Sequence, residues 1–169
     1  MYKLPIEKSY NKYSTQIDIP KKLSDRIKTF KKGFIDKDNI VEDENEVHIT
    51  VLYGIDFLRD KKEIKDILGS ATINGSLGKI NKFSSKKHDV IHIEIDSILL
   101  DSIHEILKEQ IDNSYSFKKY NPHLTLAYVK KGSCNDLIGK DYFVGEKFKN
   151  LPVKFCYKSG KKEEISGGK

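Results

Sequence analysis

The sequence predicts an α+β fold built from two similar halves. Short runs rich in Val, Ile, Leu and Tyr alternate with segments of helical period, in the order β-α-β-α-β-β-α-β-β-β. This order lacks the strict strand-helix alternation of a doubly wound parallel sheet. The tripeptide His48-Ile49-Thr50 in one half also returns as His123-Leu124-Thr125 in the other. Because no long polar linker divides the 169 residues, we expect residues 1–169 to form a single domain, with an ordered core from about 13 to 158.

The elements of the first half follow from alternation and helical period. We expect residues 1–12 to form a loose arm and 14–19 to form a strand that Pro20 ends. Apolar residues at helical spacing predict a helix over 21–32, and an acidic loop over 35–46 follows it. Residues 47–53 are predicted to form the first motif strand, and 60–68 a short helix.

The second half begins with a bent or paired strand region over 71–83 and a strand over 90–95. The clearest helical period covers 98–111, with its apolar face at Leu99, Ile103, Ile106, Leu107 and Ile111. A loop over 113–121 precedes the second motif strand, 122–129, and another loop covers 132–141. Late strands are predicted at 148 and over 153–157, and the last four residues are expected to be disordered.

The composition indicates a cytoplasmic protein with an anionic partner. The formal net charge is +6, almost all of it from lysine, which mildly favours binding to anions. No apolar run approaches the roughly 18 residues needed to span a membrane, and the first residues lack a signal-peptide pattern. Cys134 and Cys156 have no metal or disulfide spacing, and Cys156 is predicted to be a core residue.

The repeated motif predicts a phosphodiesterase site. Residues i and i+2 of a strand point to one face, so neighbouring motif strands would bring together His48, Thr50, His123 and Thr125. Phosphodiester cleavage needs a base and an acid, which two imidazoles supply near neutral pH, while the threonine hydroxyls hold the phosphate. We predict that these four residues are catalytic and that no cofactor is needed. Zinc would require three or four ligands, and no clustered third ligand is evident, so no metal site is expected.

Other candidates depend on the face of their strand. Tyr53 and Tyr128 lie five residues after the histidines, so a regular strand places them in the core, and a bulge would reverse this. His92 and Glu94 share the face opposite the isoleucines of their strand, where they either line the cleft or face solvent. The two remaining histidines are predicted to lie on the surface: His88 and His104.

Paired H-x-T strands in a small β/α chain resemble the 2H phosphoesterase superfamily, which includes the 2′-5′ RNA ligase-like proteins. The resemblance covers residues from about 13 to 157. It implies a bilobal fold, with two pseudo-symmetric β/α halves around a central cleft and both motif strands at the base of that cleft. It also implies metal-independent cleavage or rearrangement of phosphodiesters that have a neighbouring 2′-hydroxyl. In this family the histidines are the general acid and base, and the threonines bind phosphate.

The sequences around the motifs, His-Ile-Thr-Val-Leu-Tyr-Gly and Asn-Pro-His-Leu-Thr-Leu-Ala-Tyr-Val-Lys, are most similar to the phage anti-CBASS nucleases. RNA ligase-like members often carry an arginine after the second motif, where this chain has Tyr128 and Lys130. The anti-CBASS resemblance implies a hydrolase that degrades cyclic di- and trinucleotide signals such as cGAMP in the host cytoplasm and so lets a bacteriophage evade immunity. We expect a monomer with no membrane partner and no stable nucleic-acid partner.

Four further residues are candidates for substrate binding. Tyr13 and Phe83 are candidates for base stacking, and each also fits a core position. Lys130 and Lys147 are candidates for steering phosphate, although most lysines are simply solvated.

Two other functions stay open: a 2H enzyme acting on RNA ends (2′,3′-cyclic phosphates or 2′-5′ linkages) and a non-catalytic sponge that binds nucleotides. The RNA-end enzyme would use the same catalytic residues, so the motifs do not separate it from the cyclic-nucleotide enzyme. A compact cleft suits a cyclic dinucleotide, whereas an open basic groove suits RNA.

Overall fold

The computed structural model describes residues 11–167, in which one antiparallel sheet of nine strands carries three α-helices. The strands are β1 (Tyr13–Asp18), β2 (Ile40–Asp43), β3 (His48–Ile55), β4 (Ile73–Ser84), β5 (His88–Asp96), β6 (His123–Lys130), β7 (Lys147–Leu151), β8 (Lys154–Cys156) and β9 (Lys162–Glu164). The helices are α1 (Lys21–Phe34), α2 (Lys61–Leu68) and α3 (Ile98–Gln110). None of the described helices is long and apolar enough to cross a membrane.

The sheet places the two motif strands side by side at its centre. Its order is β7-β4-β5-β6-β3-β1-β8-β9, and β2 pairs with β6. Both β2 and β3 run antiparallel to β6. They pair with successive parts of it: β3 at Leu124, and β2 from Ala127 to Val129. The α+β fold class that the sequence predicts is confirmed, and so is the expectation that the two motif strands are neighbours.

Helix α3 packs against β3 and β4 and covers part of the core. The Ser97 side chain caps its first turn by accepting a hydrogen bond of 3.3 Å from the Leu100 amide. Its buried stripe differs from the predicted one, because Leu99 and Ile106 are 43% and 41% exposed. His104, predicted to lie on the surface, is instead fully buried.

Two strands were not predicted from the sequence. The segment expected to be an acidic loop contains β2, and β9 extends the sheet beyond residue 158. The end of the chain is also more ordered than expected, since Ile165 and Ser166 are buried and the Ser166 hydroxyl accepts a hydrogen bond from the Val153 amide. Most of the predicted N-terminal arm, residues 1–10, lies outside the described residues.

The region predicted to be a bent or paired strand forms one long strand, β4, with register shifts on both sides. Gly75 permits a close approach at one of these shifts. A Cβ atom at this position would lie 2.5 Å from Cζ of Phe148 and 2.9 Å from the carbonyl oxygen of Asp96. Any side chain there would therefore push β7 away from β4.

Candidate active site

The two motifs meet across the pairing of β3 with β6. Their central residues, Ile49 and Leu124, are register partners and are fully buried. In this antiparallel register each histidine lies opposite the threonine of the other motif, so His48 faces Thr125. Side chains directly opposite one another have Cβ atoms about 4.5–5.5 Å apart. The buried central residues thus fix the core face, and the four polar side chains share the other face.

Each motif strand contains one extra residue at the same place. In β3, Thr50 and Leu52 pair with consecutive residues of β1, so Val51 has no partner in the ladder. In β6, Leu126 is the extra residue relative to β5. The Leu52 amide, displaced by the first bulge, donates a hydrogen bond of 3.2 Å to the Thr15 hydroxyl. Both strands therefore have a β-bulge immediately after the H-x-T motif.

These bulges change the face that the following tyrosines present. Tyr53 and Tyr128 are predicted to be core aromatics in a regular strand, because they lie an odd number of residues after the histidines. The structure contradicts that prediction, since both tyrosines are half-buried and line the same cavity as His48 and Thr50. One extra residue in each strand restores the tyrosine to the face of the motif.

A backbone hydrogen bond orients His123. Its Nδ1 lies 2.8 Å from the carbonyl oxygen of Asn121, which can only accept, so the neutral ring carries its proton on Nδ1 and keeps a lone pair on Nε2. Burial lowers the pKa of His123, and the positive charge that His48 can carry lowers it further, against the effect of the Asn121 carbonyl. His123 therefore favours the neutral form that a general base requires.

His48 has a different neighbour. Its Nδ1 lies 3.6 Å from a carboxylate oxygen of Glu46, and the other oxygen of Glu46 accepts a bond of 2.7 Å from Lys162. A carboxylate on this side favours the tautomer with its proton on Nδ1. The two histidines thus lie in unlike environments, one beside a carbonyl and the other beside a carboxylate.

A third histidine lies beside His123. His92 is 2% exposed, so it does not face solvent, which was one of its two predicted positions. Its ring stacks on Phe83 at 4.0 Å and meets the ring of His123 at 5.1 Å. Burial, together with the charge that His123 can carry, lowers the pKa of His92 to about 4. His92 is therefore a neutral aromatic wall beside His123 at neutral pH.

A cavity of about 460 Å³ opens at the first motif. Tyr13 lines it and stacks on the buried Phe155, with 5.6 Å between ring centroids, so this predicted stacking residue borders the cavity that His48 also lines. Phe83, the second predicted stacking residue, is 37% exposed and lies 4.9 Å from the ring of His123. The two aromatic candidates therefore lie on different sides of the histidine pair.

The two predicted lysines lie elsewhere. Lys130 is exposed at the end of β6 that is farthest from His123. Lys147 is exposed on β7, which β4 and β5 separate from β6. Neither lysine lines the cavity at the first motif.

Three acidic residues form a wall of the cavity that was not predicted from the sequence: Glu42, Glu44 and Glu46. They recur at the same two-residue spacing as His48 and Thr50, and this alternation was the available signal for a shared side of the cavity, although only Glu42 lies in a strand. Ligand atoms of Glu44, Glu46 and His48 lie within 4.8 Å of one another, which is a spacing that can hold a metal ion. The third ligand that the sequence did not reveal is therefore present in space, although the ammonium of Lys162 pairs with Glu46.

Comparison with solved structures places the fold among phosphoesterases. TT0787 of Thermus thermophilus is similar with a TM-score of 0.66 and 11% identity, covering 94% of this chain and 100% of that chain. A crystal structure described as a phosphoesterase gives a TM-score of 0.62 at 10% identity, covering 93% and 99%. E. coli LigT in complex with 3′-AMP gives 0.59 at 12% identity, covering 92% and 93%. At these identities the likeness establishes the fold.

The sequence itself gives the family. No curated protein matches it. The family described as anti-CBASS protein Acb1 matches residues 14–149, which include both motif strands, both bulges and the acidic wall. The chain therefore belongs to the anti-CBASS Acb1 family, and its fold is that of the 2H phosphoesterases.

Proposed function

We propose that this protein is a metal-independent phosphodiesterase that cleaves the cyclic oligonucleotide signals of bacterial CBASS immunity. The observation that carries the proposal is the antiparallel pairing of two H-x-T motifs, each with its histidine opposite the other's threonine, in a chain of the anti-CBASS Acb1 family. Two imidazoles on either side of one phosphate supply both proton transfers, and two hydroxyls supply donors to its oxygens.

The environments of the histidines support a division of labour. His123 is held with a lone pair on Nε2 and a lowered pKa, so it removes the proton from the attacking hydroxyl of a ribose 2′-OH or of water. His48, beside the Glu46 carboxylate, donates a proton to the departing 5′-oxygen. Thr50 and Thr125 hold the phosphate while its charge develops. When the 2′-OH attacks, the P–O5′ bond breaks and a 2′,3′-cyclic phosphate forms on the linear product.

The walls of the site suit a compact nucleotide ligand. Tyr13 and Phe83 provide aromatic faces on either side of the histidines, and Tyr53 and Tyr128 border the cavity. Base stacking on such rings contributes about 1–3 kcal/mol per base. Lys12 and Lys162 also line the cavity, so a phosphate there can meet cationic side chains as well as the acidic wall.

The first test is incubation of the purified protein with 3′,3′-cGAMP in EDTA, followed by chromatography of the products. We expect linear products from the wild type and none from the His48→Ala/His123→Ala double variant, provided both have the same circular dichroism and melting temperature. An intact cyclic dinucleotide would move the test to cyclic trinucleotides, and failure on both classes would reject the proposal. Activity that EDTA abolishes and a divalent ion restores would assign the Glu44, Glu46 and His48 group to a metal.

The division of labour has a separate test that uses uridine 3′-(p-nitrophenyl phosphate), whose leaving group needs no proton. We expect this ester to restore most of the rate lost in His48→Ala, because the acid is no longer required, and to leave His123→Ala inactive. Equal loss in both variants would contradict the assignment, and the opposite pattern would exchange the two roles.

A second candidate function is action on RNA ends, because the fold is shared with E. coli LigT, which was crystallised with 3′-AMP. The same four catalytic residues would serve a 2′,3′-cyclic phosphate or a 2′-5′ linkage. Parallel assays with 2′-5′ oligoadenylate and with RNA bearing a 2′,3′-cyclic end separate the two functions. A nucleotide sponge is tested by the same His48→Ala variant, which would still protect a phage if binding alone were the activity.

A further inference from the structure

The first motif strand has an edge that no strand covers. Strand β6 begins at His123, opposite Thr50, so after Thr50 the edge of β3 faces the loop 113–121. The Tyr120 hydroxyl from this loop donates a hydrogen bond of 2.6 Å to the carbonyl oxygen of Thr50. A side chain three residues before His123 therefore binds the β3 backbone at the point where its pairing with β6 ends.

A second side chain binds the carbonyl oxygen of the next residue, Val51. Nδ1 of His104, on α3, lies 2.6 Å from the carbonyl oxygen of Val51, the extra residue of the bulge. The His104 ring stacks on the Tyr120 ring with 3.9 Å between centroids and 7° between planes. Two consecutive carbonyls of the bulge are thus bound by two side chains that pack against each other.

We propose that Tyr120 and His104 form a positioning pair that holds the bulged backbone of the first motif at a fixed distance from the second. The inference rests on the proposed phosphodiesterase function, because it concerns the alignment of His48 and Thr50 with His123. Neither Tyr120 nor His104 lines the cavity at the first motif. Their effect on the reaction passes through the backbone of β3.

The chemistry of the pair favours a positioning role over simple packing. His104 is fully buried, and its Nε2 makes no hydrogen bond within residues 11–167. A buried unsatisfied nitrogen is costly, so a leucine would fill this place on the apolar stripe of α3 with less penalty. Burial lowers the pKa of His104 and keeps the ring neutral. The single N–H of the neutral ring donates its hydrogen bond to the Val51 carbonyl.

The pair serves one motif only. In β6, β5 pairs along one edge, and on the other edge β3 pairs at Leu124 and β2 pairs from Ala127 to Val129, so paired strands lie on either side of the Leu126 bulge. The first motif lacks that support on one side of its bulge and receives it from side chains. The two halves of the site are therefore matched in their catalytic residues and unmatched in how their backbones are held.

The test is Tyr120→Phe, which keeps the ring and its stacking and removes the hydroxyl. A displacement of about 1 Å in a reacting group costs on the order of 100-fold in rate, so we expect kcat to fall about 10- to 100-fold with little change in KM. Tyr157→Phe is the matched control, because its hydroxyl also makes a bond of 2.6 Å, to Glu163, and lies outside the cavity. We expect the control to keep the wild-type kcat.

A second pair of variants covers the case in which Tyr120→Phe does not fold. His104→Asn keeps a donor close to the position of Nδ1, whereas His104→Leu removes it. We expect kcat of His104→Asn to be closer to the wild type than that of His104→Leu. Equal kcat in these two variants, or a wild-type kcat in folded Tyr120→Phe, would overturn the positioning role.

Failure of the proposed function is distinguishable from failure of this inference. A wild type that cleaves no phosphodiester rejects the function, and ¹H–¹⁵N spectra of the imidazoles then report on the pair without turnover. We expect the His48 signals to move in Tyr120→Phe and to stay in place in Tyr157→Phe. Unmoved His48 signals in Tyr120→Phe would overturn the inference whatever the activity.

Discussion

Asp89 is a buried carboxylate whose replacement gives a quantitative test of the fold. It is 0% exposed and accepts hydrogen bonds from the Ser84 hydroxyl at 2.8 Å, the Gly132 amide at 2.9 Å and the Lys82 ammonium at 3.2 Å. These bonds join the end of the β4–β5 hairpin to the turn after β6. They therefore fix the backbone next to Phe83, one of the two aromatic walls of the site.

We expect Asp89→Asn to lower the free energy of unfolding by about 1.5–3 kcal/mol at pH 7, the contribution of hydrogen bonds to a charged group, because Lys82 is 28% exposed and keeps its bond to Asn135. An amide has one acceptor oxygen in place of two, and its NH2 group would face the amide or ammonium donor. The measurement is urea unfolding followed by circular dichroism. Asp66→Asn is the matched control, because its pair with Lys62 is exposed and exposed pairs contribute about 0–1 kcal/mol.

The dependence on pH sharpens the same experiment. Burial alone would raise the pKa of Asp89, but the bonds from Gly132, Ser84 and Lys82 lower it overall. A carboxyl whose folded pKa is depressed stabilises the fold above its unfolded pKa of about 3.9 and loses that contribution as the pH falls through the folded value. The difference between wild type and Asp89→Asn should thus shrink below about pH 4.

Two results would refute this reasoning. A loss of less than about 1 kcal/mol at pH 7 would mean that the three donors are satisfied equally well by an amide or by water. The stability difference between wild type and Asp89→Asn could instead stay constant as the pH falls to about 3, below the reference aspartate pKa of about 3.9. That result would mean that the fold does not prefer the ionised form of Asp89.

Three further predictions concern acid activity, thiol chemistry and packing. Because the pKa of His123 is lowered, mainly by burial, the acid limb of kcat/KM should fall below the usual histidine value of about 6.5, and a limb above it would contradict the assigned base. Burial raises the pKa of both thiols, that of Cys156 to about 11, so in native protein Cys134 and Cys156 should react slowly with a disulfide reagent; rapid reaction would contradict their burial. Gly75→Ala should cost about 1–3 kcal/mol in urea unfolding, because the new Cβ meets Phe148, and an unchanged midpoint would show that β7 yields freely.

Sequence periodicity predicted the fold class and the central pair of strands because both depend on simple alternation. The same counting rule placed Tyr53 and Tyr128 in the core, since it assumes that no residue is inserted in the strand. The bulges at Val51 and Leu126 carry no distinctive residue type, so they become visible only in the pairing with neighbouring strands. The alternation in each motif strand therefore predicted its first three residues correctly and its sixth wrongly.

Residue polarity gave wrong predictions in two other places. His104 was assigned to the surface because it is polar, although it lies on the helical stripe between Leu100 and Leu107. The acidic segment before the first motif was predicted to be entirely a loop because charge is rare in strands, although its first part, Ile40–Asp43, forms β2. In both cases the spacing was informative and the residue type was not. The substrate-binding residues depend on loops and cross-strand neighbours, which the sequence does not order in space.

In each motif strand, the one extra residue of the bulge determines which face the tyrosine presents, separately from the positions of the histidine and threonine. Deleting Leu126 from β6 would restore regular alternation and turn Tyr128 towards the core, while His123 and Thr125 would keep their register with β3. Deleting Val51 from β3 would turn Tyr53 in the same way but would also remove the carbonyl that His104 binds. A one-codon deletion at Leu126 is thus a change by which a gene of this family could alter the lining of the cavity while both H-x-T motifs stay in register. Ligand preference and chemistry can in this way diverge independently along one strand.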